Sequence, residues 1–108
     1  MKVYRHAVIV AALLLICTTA VATPDATRQA QLEHLLSQDC GACHGLHMTG
    51  GLGSELTRAA LAGKSRDSLI ATVSHGRPGT AMPGWAPLLS PDDIRWLVDL
   101  LLQGYPAP

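Results

Sequence analysis

Phenylalanine is absent from this chain of 108 residues, and two tryptophans with two tyrosines are its whole aromatic complement. A domain of this size buries a limited core in any case, so the missing bulk calls for something other than side chains to fill it. No stretch alternates apolar and polar residues for long enough to argue a sheet, and no repeat or low-complexity tract interrupts the chain. The eight Lys and Arg residues form no cluster and are matched by eight Asp and Glu, which excludes the basic footprint of nucleic-acid binding. Three cysteines do not make a disulfide framework.

What the chain does have begins with a leader pattern. Lys2 and Arg5 precede an apolar run from Ala7 to Ile16, and Ala20-Val21-Ala22 fits the small-residue pattern of signal cleavage. The run is short for a membrane span, which needs about 20 residues. The expectation is a signal peptide over residues 1–22, a single domain over residues 23–108, export to the periplasm, and no membrane association after cleavage. Ile16 stands before Cys17 where a lipoprotein signal would carry a small residue. Cys17 then leaves with the leader, and Lys2 and Arg5 with it, so the remaining domain carries a small negative charge.

The other two cysteines lie in Cys40-Gly41-Ala42-Cys43-His44. The C-x-x-C-H pattern supplies two thiols that bond a haem covalently and an imidazole that binds its iron. On one helical turn both sulfurs reach the vinyl groups of the macrocycle, and the adjacent His44 ring addresses the iron from the same side. A thioredoxin-like redox pair would need a βαβ setting that the sequence does not show. A zinc site would need four ligands; Cys40, Cys43, His47 and His75 supply the number without a second tight pair.

The spacing elsewhere is helical. Leu32, Leu35 and Leu36 lead into Cys40, so a helix starting near Asp25 or Thr27 delivers the haem motif at its C-terminal end. Gly45, Gly50, Gly51 and Gly53 mark a loop able to lie close over a cofactor. A short helix follows Thr57, and another starts at a Ser65 cap with Asp67 in its first turn and ends at Gly76. The last has a Ser90 cap, Pro91 in first position, Asp92 and Asp93 at the positive dipole end, and an apolar stripe of Ile94, Leu97, Val98 and Leu101, widened by Trp96 and Leu100.

A haem held by His44 has a second axial position. Met82, in Gly79-Thr80-Ala81-Met82-Pro83-Gly84-Trp85, is the candidate for it, because a Pro/Gly loop holds a thioether at a fixed angle whereas a gap-filling methionine more often sits on a helix face. Met48 reads as packed on the haem or exposed. His75 at the end of a helix and His47 are the alternatives for bis-histidine ligation, and His34 reads as a solvated or edge residue. No His/Arg pair stands out for acid catalysis on peroxide, and Arg77 beside the methionine loop reads as a solvated charge.

In this order of motifs, residues 23–108 resemble the small monohaem class I cytochromes c. Within that class they look like the cytochrome c55X group, which accompanies haem d nitrite reductase in denitrifying bacteria. The narrower likeness is carried by Cys40 to Leu46, Gly50 to Gly53, and Gly76-Arg77-Pro78-Gly79-Thr80-Ala81-Met82-Pro83-Gly84-Trp85. It implies an all-α class I cytochrome c fold, with about four helices and loops wrapped round one covalent haem c. It also implies thioethers at Cys40 and Cys43, His44 as proximal ligand and Met82 as distal ligand. In the family a proline carbonyl after the glycine loop commonly accepts a hydrogen bond from the proximal imidazole; this chain has Ser54 at that place. The implied function is electron transfer rather than catalysis, by a monomer donating to the nitrite reductase. The alternative is an accessory role in maturing or loading that enzyme's d-type haem.

Overall fold

In the computed structural model, which describes residues 20–106, Asp25 opens the first helix. Its carboxylate accepts from the Arg28 backbone N–H at 2.8 Å, a cap that contributes about 1 kcal/mol in such positions. Residues 1–19, which carry most of the expected leader, lie outside the described residues. Helix α1 (Ala26–Leu35) runs into a π-helical turn (Leu36–Cys40) and then into α2 (Gly41–His44), so one rod delivers the C-x-x-C-H motif at its end. Among the described residues there are no strands, and no helix is long and apolar enough to cross a membrane.

The π turn has no counterpart in the sequence reading, since no Pro or Gly announces it. Its effect is one of register. In regular α geometry residues four apart drift by about 40° per step, and the wider turn takes back part of that drift. Leu36, Cys40 and His44 accordingly border the same recess.

The remaining helices are α3 (Arg58–Leu61), α4 (Arg66–His75) and α5 (Pro91–Gln103), capped by Thr57, Ser65 and Ser90. Helix α5 organises the fold by packing against α1, α3 and α4. Its stripe of Ile94, Leu97, Val98 and Leu101 is buried, while Trp96 and Leu100 are half-buried on its flanks. Each fully buried side chain of this kind contributes about 1.5–3 kcal/mol of hydrophobic free energy. Leu32 and Leu36 from the first rod, Leu61 from α3, Leu89 and Met48 complete the cluster.

Asp93 has two tasks at the head of α5. Its side chain and that of Ser90 cap each other's backbone N–H groups at 3.1 Å, and its carboxylate takes both Nε and Nη2 of Arg28, at 3.2 and 2.8 Å. Helix α1 is thereby tied to the start of α5. A second pair, Arg66 with Asp99, ties α4 to the middle of α5.

Met48 is not exposed: it is 0% exposed, inside the core, with φ of +58°. Its N–H donates to Gly45 and its carbonyl accepts from Leu56. These bonds hold a left-handed turn that a spacing argument does not reveal.

Candidate functional site

The last turn of the first rod presents Cys40 half-buried, Cys43 exposed and His44 half-buried, with both thiols free. Burial, with smaller contributions from Asp39 and Cys43, pushes the Cys40 thiol up to about 11. A thiol so held is protonated at neutral pH, the opposite of a reactive redox cysteine. The zinc alternative also fails: His47 and His75 are exposed, and among the described residues no three His, Cys, Asp or Glu side chains gather as metal ligands.

The glycine loop folds back against this turn. Gly50 N–H donates to the His44 carbonyl and Gly53 N–H to that of Cys43, both at 2.8 Å. A Cβ on Gly53 would stand 2.8 Å from Nδ1 and Cε1 of the His44 ring, so only glycine lets the backbone lie this close to the imidazole. Beyond it, the Ser54 carbonyl oxygen is 2.7 Å from His44 Nδ1. A carbonyl only accepts, so Nδ1 carries the proton and Nε2 keeps its lone pair for a metal.

Met82 is held by its own loop. Arg77 N–H donates to the Met82 carbonyl at 3.2 Å, and the Thr80 hydroxyl accepts from Met82 N–H at 3.3 Å. Trp85 N–H to the Val73 carbonyl and Ala86 N–H to that of Ser74 fasten the far end of the loop to α4. Gly76, at φ of +69°, makes the turn out of α4 where a Cβ would be 2.6 Å from the Met82 carbonyl.

His44 and Met82 line one cavity of about 410 Å³, walled by Leu56, Leu61, Leu69, Val73, Val98 and Leu101. A smaller recess, which shares six of these lining residues, adds Leu36, Cys40, Trp85 and Leu97. The volume lies in the range of cofactor pockets. An imidazole, a soft thioether and a thiol beside an apolar wall fit a haem as axial donors and an attachment point. Arg77, read from sequence as a solvated charge, is exposed and also borders this cavity, as does Lys64.

An all-helical chain whose leading rod ends in C-x-x-C-H beside an apolar cavity that also contains a loop methionine defines a c-type cytochrome. Residues 27–101 match the family model described as cytochrome C oxidase, cbb3-type, subunit III. The chain is 65% identical to cytochrome c55X of Stutzerimonas stutzeri over the full length of both proteins, and it belongs to the cytochrome c55X family. The solved structure of the c-type cytochrome NirC, 67% identical, superimposes with a TM-score of 0.75, covering 79% of this chain and 100% of that one. A portion of dihydro-heme d1 dehydrogenase NirN, solved in complex with DHE, is 36% identical with a TM-score of 0.63, covering 69% of this chain and 16% of that one. Membership in a cytochrome c family implies haem c as the cofactor.

Proposed function

We propose that this chain is a periplasmic electron-transfer cytochrome that holds one haem c through thioethers at Cys40 and Cys43, with His44 and Met82 as the two axial ligands. The observation that carries this reading is that His44 and Met82 border the same cavity. Haem c supplies one-electron exchange between ferric and ferrous iron. The chain's own residues set its conditions: the Ser54 carbonyl orients the His44 ring, the Pro/Gly loop holds the Met82 sulfur, and the apolar wall disfavours the extra positive charge of the ferric state. The thioether and the apolar wall both raise the potential.

The functional unit is residues 23–108, monomeric after removal of the leader at 1–22, with no catalytic residues of its own. Its partner is a redox protein, by family resemblance the haem d nitrite reductase. Ala42, Cys43, Leu46 and Leu52 near the haem motif, and Ala81 on the methionine loop, are exposed. They offer small, largely uncharged surfaces suited to a brief redox encounter. Weak salt dependence of the transfer rate is expected from the near-neutral charge. A deletion strain tests the assignment: nitrite reduction should fall while the reductase stays fully loaded, and a wild-type rate contradicts it.

The likeness to part of a dihydro-heme d1 dehydrogenase favours a second reading, an accessory role in d-type haem maturation. The same strain separates the two. Full-length reductase lacking its d-type haem indicates maturation, and loaded reductase starved of electrons indicates transfer.

A further inference from the structure

The two backbone polar groups of Met82 are held by bonds of different kinds. Its carbonyl accepts from the Arg77 N–H at 3.2 Å, a backbone bond that does not depend on which side chains the loop carries. Its N–H donates to the Thr80 hydroxyl oxygen at 3.3 Å, and that bond exists only while a hydroxyl stands at position 80. The same hydroxyl donates to the Arg77 carbonyl at 2.7 Å, and the Thr80 N–H donates to that carbonyl at 3.1 Å. Thr80 therefore joins the start of the loop, at Arg77, to its end, at Met82.

Nothing else in the loop can do this. Pro78, Gly79, Ala81, Pro83 and Gly84 have no side chain that forms a hydrogen bond. Past Met82 the chain is anchored independently: Trp85 and Ala86 donate to the carbonyls of Val73 and Ser74, and a Cβ on Gly84 would stand 2.9 Å from the Ser74 oxygen. The thioether is thus carried by a stretch whose far end is fixed to α4 and whose near end is closed by one hydroxyl. We infer that Thr80 is a positioning residue for the Met82 sulfur, its hydroxyl bridging the Arg77 carbonyl and the Met82 N–H so that the second axial position stays closed to other ligands. This rests on the His44/Met82 reading above. Thioether ligation favours ferrous iron, so the ferric form is where its hold is weakest. There the hold depends on how little the loop must be ordered to present the sulfur.

The test titrates the ferric, haem-loaded protein with imidazole and follows the far-red sulfur-to-iron band. Both bonds of the Thr80 hydroxyl are exposed, so Thr80→Val leaves no buried polar group unpaired and the fold should persist. That variant should bind imidazole roughly two- to tenfold more tightly than wild type, the ratio that one ordinary hydrogen bond supports. Thr80→Ser keeps the hydroxyl and should match wild type. Ser90→Ala weakens the cap of α5 at a residue that does not border the cavity; it should lower stability and leave imidazole binding unchanged. Equal affinity in Thr80→Val and wild type overturns the proposal, as does a gain in Thr80→Ser or Ser90→Ala as large as that in Thr80→Val. A wild-type protein without the far-red band defeats the His44/Met82 reading and this role with it, whereas a normal band with unchanged imidazole binding in Thr80→Val defeats this role alone.

Discussion

The imidazole of His44 is fixed by the carbonyl of Ser54, 2.7 Å from Nδ1. The bond belongs to the backbone, so the identity of the side chain at position 54 is free to vary. No described hydrogen bond uses the Ser54 N–H as a donor. Ser54→Pro should therefore leave haem incorporation and the potential close to wild type, and loss of haem in that variant contradicts the alignment of Ser54 with the family's proline. Its neighbour is the reverse case. Gly53→Ala puts a methyl group 2.8 Å from the His44 ring, and overpacking of this kind costs about 1–3 kcal/mol. Denaturant unfolding of the loaded protein should show that loss, together with a shifted potential.

Met82→His exchanges a soft thioether for an imidazole at the same loop position. The potential should fall markedly, because nitrogen ligation favours ferric iron relative to sulfur. Potentiometric titration of the variant checks this, and an unchanged value means that Met82 is not bound to the iron.

Acid should loosen the attachment of α5 to its neighbours. The Arg28 guanidinium holds the Asp93 carboxyl below the usual carboxylate range, with the Ser90 groups adding to the effect against the cost of burial; Arg66 does the same for Asp99. A carboxyl whose pKa is depressed by folding stabilises the native state above its unfolded value, about 4, and that stability is lost as pH falls through the folded value. Stability should thus decline below about pH 4, and Asp93→Asn should be less stable at neutral pH and show a shallower decline in acid. Both pairs are partly exposed, on at least one side, so salt should weaken them. Circular dichroism melts across this range make the comparison.

Leu97 is 3% exposed, in the α5 stripe, and also borders the recess beside Cys40. Leu97→Ala should cost about 2–5 kcal/mol, as truncations in packed cores do. Trp96, half-buried on the same helix, sits at the edge of the cluster and should tolerate Leu better than Leu97 tolerates Ala. Parallel denaturant titrations of the two variants rank them.

Much of this fold is written in local chemistry. Ser65 and Ser90 act as caps, and the stripe Ile94, Leu97, Val98, Leu101 is the buried face of α5, because capping and periodicity operate within a few residues. The contiguous motif singles out Cys40, Cys43 and His44 as candidates and the Pro/Gly loop singles out Met82, and the fold brings His44 and Met82 to one cavity. The π turn at Leu36–Cys40 has no such signal: no Pro or Gly lies within it, and the register it sets matters only relative to α5 and the cavity. Met48 escaped for a similar reason, because its burial depends on a positive φ held by Gly45 and Leu56. Lys64 and Arg77 lie 13 positions apart at the two ends of α4, and only the folded helix brings both to one cavity.

An optical spectrum of the purified haem-loaded protein, ferric and then ferrous with carbon monoxide added, tests His44/Met82 ligation most directly. A far-red sulfur-to-iron band in the ferric form, with no binding of carbon monoxide to the ferrous form, is the result expected of a closed site that carries electrons. Ready carbon monoxide binding with no such band contradicts it and leaves an open iron suited to ligand binding or haem handling.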